Sequence, residues 1–243
     1  MVRELFSLNP LLDRAALAER FRRDGRVQVR DVLTQAAAQT VHEVLACATP
    51  WGLAWQAGED GPHAIRATAI EGDAAGQRRA IAATTQAAMK RGDYAFQFAQ
   101  YPILDAYLGG WAPGGPHDLL LEHINTDDFL DFIREVTGIA SIRKGDAQAT
   151  LFAPGDFLGL HVDSHVGEGW RVAYVLNFCL EEWKPDWGGY LNFFDEDGDI
   201  VAGYRPRFNA LNMFAVPCAH AVSYVPPFAP VRRYALTGWF RDL

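Results

Sequence analysis

QATLFAPGDFLGLHVD, residues 148–163, decides how this chain is read. Gln148–Phe152 alternates in the manner of a strand. Ala153-Pro154-Gly155-Asp156 follows, with Pro in the second and Gly in the third place of a four-residue turn, the signature of type II. Phe157–Asp163 then takes up the alternation again. Side chains two apart on a strand face the same side. Leu158, Leu160 and Val162 are thus expected on one face, and His161 and Asp163 on the other with Phe157 and Gly159. An imidazole and a carboxylate aimed into one space form a chelating pair for a divalent metal. A carboxylate buried there without a cation or donors would be costly.

Further strands are expected at Val172–Phe178, Tyr190–Phe194, Ala210–Val216, His220–Val225 and Arg233–Phe240. Short strands this closely spaced indicate a barrel or sandwich. Before residue 140 helical signals dominate. Leu12, Ala16, Leu17 and Phe21 share a helical face that ends at Gly25, and either Asn9-Pro10 or Asp13 opens that helix. Ala37, Val41, Val44 and Leu45 follow a cap at Thr34. Phe129, Phe132, Ile133 and Val136 repeat the spacing between Thr126 and Gly138. Arg26–Val29, Trp51–Gln56 and Ala95–Ala99 are strand-like. The class is α+β, helices bracing one face of the sheets. Ala57–Gln77 and Gly109–Asp118, rich in Gly and Pro, read as surface loops or as lids over a site.

At 243 residues, 49% of them hydrophobic, the chain is expected to form a single domain, 1–140 supporting and 141–243 carrying the site. A net charge of −8 disfavours nucleic acid as a partner. No apolar run is long enough to span a bilayer. The absence of a signal-peptide pattern points to the cytoplasm. Cys47, Cys179 and Cys218 lack a CxxC spacing, so neither a disulfide framework nor a cysteine zinc site is expected, and they read as buried small hydrophobes. Oligomeric state is not readable.

A third metal ligand must come from elsewhere. His220 lies 57 residues beyond Asp163, at the head of a strand. Two His and one carboxylate make the facial triad of non-haem Fe(II) oxygenases, which leaves open positions for further ligands. His165 has the same strand parity but lies about 13 Å from His161 along an ideal strand, so His220 is preferred. His42, His63, His117 and His123 read as ordinary helix or loop residues. On the last strand Arg233, Ala235, Thr237 and Trp239 share one face, and Tyr234, Leu236 and Phe240 the other. An inward Arg with an inward Thr makes a carboxylate pocket.

The ordered pieces PGDFLGLHVD, RVAYVLNF, WGGYLNFFD, FNALNMFAVP, HAVSYV and RRYALTGWF make the segment from about 147 to 241 resemble the double-stranded β-helix core, a jelly-roll or cupin-like barrel, of the 2-oxoglutarate- and Fe(II)-dependent dioxygenases. Within them it is most similar to the prolyl-hydroxylase branch, first to the enzymes acting on a ribosomal protein and next to the hypoxia-sensing ones. The resemblance implies that His161, Asp163 and His220 bind Fe(II) and that Arg233 binds the distal carboxylate of 2-oxoglutarate. It makes Thr237 an auxiliary hydroxyl contact, with Tyr174 a further candidate for that pocket. Dioxygen is then the second cosubstrate, ascorbate an optional reductant, and succinate and CO2 the coproducts. Relatives often carry a Tyr nine residues before the first His. Here that position is Phe152, and a lost bond to a charged group costs about 1.5–3 kcal/mol unless another donor substitutes.

The implied substrate is a prolyl residue of a protein or peptide, which opposite charge would favour if basic and ribosomal in type; a small amino-acid-like metabolite is the alternative. Trp51, Trp55, Trp111, Trp183 and Trp187 are candidates to line a peptide groove, or else packing residues. Two other classes compete. A cupin-like metal dioxygenase or isomerase would share the triad but have no use for Arg233. A non-catalytic binding barrel would have no use for the triad.

Overall fold

A computed structural model describes residues 5–70, 72–163, 165–179 and 182–243. Its helices are α1 (Arg14–Asp24), α2 (Gln35–Glu43), α3 (Ala74–Arg91), α4 (Ile103–Leu108), α5 (Pro116–Ile124) and α6 (Asp127–Thr137). The early strands are β1 (Arg26–Arg30), β2 (Gly52–Ala57), β3 (Asp60–Ile65) and β4 (Ala95–Tyr101). The later ones are β5 (Lys144–Gly145), β6 (Gln148–Phe152), β7 (Phe157–Val162), β8 (Trp170–Asn177), β9 (Leu191–Phe194), β10 (Ile200–Tyr204), β11 (Ala210–Ala215), β12 (Ala219–Val222) and β13 (Arg233–Arg241).

Local chemistry sets the helix ends. Asp13, rather than Asn9-Pro10, opens α1: its carboxylate accepts from the Ala16 N–H, and Gly25 closes the helix at φ 64°. Thr34 caps α2 through the Ala37 N–H. The predicted face of α6 is buried at Phe129, Phe132, Ile133 and Val136. The Ala57–Gln77 stretch is not all loop: β3 pairs back onto β2, from Leu53 opposite Ile65 to Ala57 opposite Asp60.

The strands run antiparallel in the order β1-β11-β8-β13-β6-β4-β7-β12-β9-β10, with β2 and β3 branching from β4 and β5 from β13. Strand β4 belongs to both walls: β2 runs along one of its edges, and on the other edge Ala99–Tyr101 pairs with β6 while Phe96 and Gln97 pair with β7. The sheet thereby folds over itself into a jelly-roll barrel whose end strands, β1 and β10, leave a seam. Residues before 140 supply β1 to β4, so the helical half is also part of the barrel wall.

Two faces divide the packing. The main core lies between the helices and the outer face of the larger sheet, where Phe21, Val41, Phe132 and Ile133 meet Val172, Tyr174, Leu176, Leu236 and Phe240. Inside the barrel, Ala173, Val175, Leu191, Phe193, Phe214 and Ala235 form a second cluster. The split follows the alternation along β8 and β13, as the period-two pattern predicts for strands covered on both faces.

Strand β7 departs from simple alternation. His220 lies opposite His161, but Val222 lies opposite Leu158, so three steps on β7 face two on β12. The extra residue is a β-bulge, which re-aims the strand beyond it. Phe157 therefore does not share a face with His161. It packs outward against Ala57, Ala88 and Ala95, while Leu158 turns inward with Phe98, Phe152 and Val222. Gly159 is required here, since a Cβ on it would sit 2.6 Å from the Ala95 carbonyl oxygen.

Candidate active site

The bulge delivers His161 and Asp163 to the barrel interior beside His220. One ligand atom from each of the three lies within 4.8 Å of the others, the one such group among the described residues. His161 Nε2 is 3.7 Å from one Asp163 oxygen, and His220 Nε2 is 3.8 Å from the other. Asp163 and His220 are buried, and His161 is half-buried. His165, the local alternative, instead packs its ring 4.4 Å from Trp170.

Each imidazole is oriented by the backbone just before it. His161 Nδ1 lies 3.0 Å from the Gly159 carbonyl oxygen, and His220 Nδ1 lies 2.9 Å from that of Cys218. A carbonyl accepts only, so Nδ1 carries the proton and Nε2 presents its lone pair to the centre. Burial first, and then the neighbouring His161, push His220 down to about 4, against the opposing pull of the Cys218 carbonyl and Asp163. At neutral pH His220 is thus a neutral imidazole, ready to ligate. Asp163 is held differently: its Oδ2 accepts from the Trp239 indole N–H at 2.9 Å. Trp239 is in turn stacked on Trp170, centroids 3.9 Å apart, and its backbone N–H donates to Asp146 at 2.7 Å. This is the outer support that metal-binding carboxylates require.

Deeper in the same cavity, of about 200 Å3, lie Thr150, Phe152, Arg233 and Thr237. That volume is small beside the roughly 300–1,000 Å3 of drug-sized sites. Arg233 is only 2% exposed. Its Nε donates to Asn177 at 3.1 Å and its guanidinium lies 5.1 Å from the Phe152 ring, while Nη1 has no partner. Burial pulls Arg233 down to about 10, so it remains a cation at neutral pH. The hydroxyls of Thr150 and Thr237 are also buried and unpartnered. A buried cation with orphaned donors beside it lacks its anion. Register explains the convergence: Arg233 faces Phe152, Ala235 faces Thr150, and Thr237 faces Gln148.

The residues therefore fit the groups that the sequence implied. Two imidazoles and a carboxylate suit Fe(II), and a buried guanidinium with two hydroxyls suits a carboxylate some distance inward. Tyr174 corrects the expectation. It borders the cavity, but its hydroxyl donates to the Asp146 carbonyl at 2.8 Å and its ring packs on Phe240 in the helix-side core. It has no donor to offer. Thr150 was not foreseen, although it sits one pleat from Phe152 and brings a second unpartnered hydroxyl to the cavity. Tyr94 was not foreseen either. Its ring lies 6.0 Å from His161, and burial, then Asp163, push its phenol up to about 12.

The five tryptophans do not form one groove. Trp51 packs on Tyr234, Trp55 stacks on His63, and Trp183 is buried with Trp187 edge-on against it. Trp111 lies 3.3 Å beneath the Arg66 guanidinium, so the two stretches expected as loops or lids touch each other. They enclose a separate cavity of about 310 Å3 that contains none of the three metal-ligand candidates. Cys179 is buried as expected, but Cys47 is exposed and Cys218 half-buried. Among the described residues no helix is long and apolar enough to cross a membrane.

Comparison with known proteins agrees with this geometry. Residues 147–241 match the family model of the 2OG-Fe(II) oxygenase superfamily. No curated protein sequence matches the chain. Among solved structures, a 2OG-Fe(II) oxygenase family oxidoreductase from Burkholderia pseudomallei is similar with a TM-score of 0.62 at 15% identity, over 98% of this chain and 94% of that one. A Pseudomonas putida prolyl-4-hydroxylase aligns with a TM-score of 0.55 at 21% identity, over 98% of both chains. A Trichoplax adhaerens prolyl hydroxylase, solved with a hypoxia-inducible factor peptide fragment, aligns with a TM-score of 0.51 at 15% identity, over 94% of this chain and 89% of that one.

Proposed function

We propose that this chain, whose core resembles the prolyl-hydroxylase-like 2OG-Fe(II) oxygenases, is an Fe(II)- and 2-oxoglutarate-dependent dioxygenase that hydroxylates an unactivated C–H bond. The family match over 147–241 supports the oxygenase reaction with Fe(II), 2-oxoglutarate and dioxygen. The observation that carries the proposal is the joint presence, in one cavity, of the His161–Asp163–His220 group and the buried, anion-less Arg233. A cupin-like metal enzyme that does not use a dicarboxylate would gain nothing from that arginine.

In this reading His161, Asp163 and His220 hold the metal, and Trp239 fixes the carboxylate. Arg233, oriented by Asn177, grips the distal carboxylate of 2-oxoglutarate, with Thr237 and Thr150 adding hydroxyl donors. Phe96, Phe98, Phe152 and Leu158 line the cavity and exclude water from it. Bound Fe(II) supplies oxygen activation coupled to decarboxylation of 2-oxoglutarate to succinate and CO2. Phe96 and Phe98 belong to β4, which supports the reading of the chain as a single catalytic domain.

For substrate we favour a prolyl residue in a protein or peptide. Two of the similar structures are prolyl hydroxylases, one of them with a peptide bound. The net charge of −8 would favour encounter with a basic, ribosomal-type substrate in the cytoplasm. Ascorbate would serve as accessory reductant. The test is an anaerobic absorbance titration with Fe(II) and then 2-oxoglutarate. A visible charge-transfer band that needs both and disappears in His220→Ala supports the assignment. Fe(II) binding with no band and no succinate would replace it with the cupin-like reading.

A further inference from the structure

Strands β1 and β10 end the sheet without pairing to each other. Beside that seam lies a cavity of about 430 Å3, lined by Arg20, Gln28, Arg30, Tyr204, Arg205 and Arg207 among others; among the described residues no Asp or Glu lines it, the acidic influence on Arg207 coming from Glu182 outside the lining. It shares no lining residue with the metal site. The chain has 30 acidic against 22 basic residues, so four guanidiniums around one space with no carboxylate among its described lining residues run against the overall charge. None of the four forms an ion pair among the described residues.

The cavity is also built rather than merely charged. The Arg205 guanidinium donates to the Trp183 carbonyl at 3.2 Å. Gln28, 9% exposed, donates to the Arg205 carbonyl and to Asn212 at 3.3 and 2.9 Å. Arg207 Nε is buried with no partner. Burial, then Arg30 and Arg205, weaken the hold of Arg207 on its proton, while Tyr190 and Glu182 act in the opposite sense. Four like charges gathered around one space, one of them with a buried unpartnered Nε donor, favour an anion that neutralises them. The planar fork of arginine suits bidentate pairing with phosphate or carboxylate oxygens.

We infer that this seam cavity is a second binding site, for a compact multivalent oxyanion such as a phosphate ester or a polycarboxylate. Calorimetric titration of the full chain in low-salt, metal-free buffer tests it, with pyrophosphate in one arm and citrate in the other. Both arms use the Arg233→Met protein, which removes the buried guanidinium of the metal-site cavity as a competing anion site. One saturable site is expected, and Arg30→Gln combined with Arg207→Gln should weaken it at least tenfold. Neither side chain donates a hydrogen bond among the described residues, so the pair can be replaced without breaking one of these. Arg91→Gln, at an exposed arginine already paired with Asp93, should leave the affinity unchanged. Tighter pyrophosphate assigns phosphoryl chemistry, and tighter citrate assigns carboxylate chemistry. Equal binding by the double variant, an adventitious anion only, overturns the inference. So does affinity that grows with the length of an RNA oligomer, which would mark an open polyanion track.

Discussion

Replacing Trp239 by Phe should weaken metal binding about 10–100-fold, and the structure says why. The change keeps an aromatic ring on Trp170 but deletes the indole N–H that holds Asp163 at 2.9 Å. A hydrogen bond to a charged group contributes about 1.5–3 kcal/mol. At about 1.4 kcal/mol per decade that is one to two orders of magnitude, the range found when outer-sphere partners of metal ligands are removed. Trp170 supplies a matched control. Its own Nε1 is buried without a partner, so Trp170→Phe removes no hydrogen bond while preserving aromatic stacking. The assay is anaerobic calorimetric titration with Fe(II), repeated with Mn(II), on protein whose fold is checked by circular dichroism. Trp239→Phe within twofold of the parent would refute the reasoning. Equal losses in the two variants would assign the effect to the stack instead.

Other expectations follow from single features. Arg233→Met should raise the half-saturating 2-oxoglutarate concentration by roughly 100-fold, the scale of one or two charge-assisted bonds, with Fe(II) affinity unchanged; succinate assays and calorimetry check the two parts. Gly159→Ala should destabilise by about 1–3 kcal/mol, because its Cβ would meet the Ala95 carbonyl at 2.6 Å, whereas Leu160→Ser, at a position 51% exposed, should cost under about 0.5 kcal/mol in urea melts. Asp156 has its carboxyl pushed up to about 6 by burial, against the hydrogen bond from the Ala153 N–H. The fold therefore prefers its protonated form, and this contribution to stability is present below about pH 4 and lost as pH rises through about 6. Asp156→Asn should raise the melting temperature more at pH 7.5 than at pH 4.5.

Much of the site was legible because it lies on strands whose side chains alternate between two distinct surroundings. On β13 the alternation separates Arg233 and Thr237 from Tyr234 and Leu236, and the one register shift in its pairing with β8 comes later, between Phe240 and Arg241. On β7 the same rule placed His161 and Asp163 together but put Phe157 and Leu158 on the wrong sides. A bulge adds one residue without altering the look of Phe-Leu-Gly-Leu, so the shift becomes visible only in the pairing with β12. Helix α3 went unread because it buries only small residues, Thr85 and Ala88, and offers no large apolar period. Strand β3 was concealed by Gly61 and Pro62. Thr150 and Trp239 shared a face with residues already singled out, but their roles depend on which donors remain unpaired, and that is a property of the folded barrel. Tyr94 precedes β4 and reaches His161 only through β4–β7 pairing, which no local pattern encodes.

The three candidate ligands are not equally exposed to mutational drift. His161 and His220 each take their tautomer from a main-chain carbonyl two residues earlier, Gly159 and Cys218. Every amino acid carries that carbonyl, so the instruction persists through any substitution that keeps the local path of the chain. Asp163 relies on an indole, a group that only tryptophan provides. A lineage abandoning this chemistry could thus lose Trp239 first and retain two correctly presented histidines. Such a descendant would keep a latent half-site, from which metal binding could be regained by supplying a single new side-chain donor.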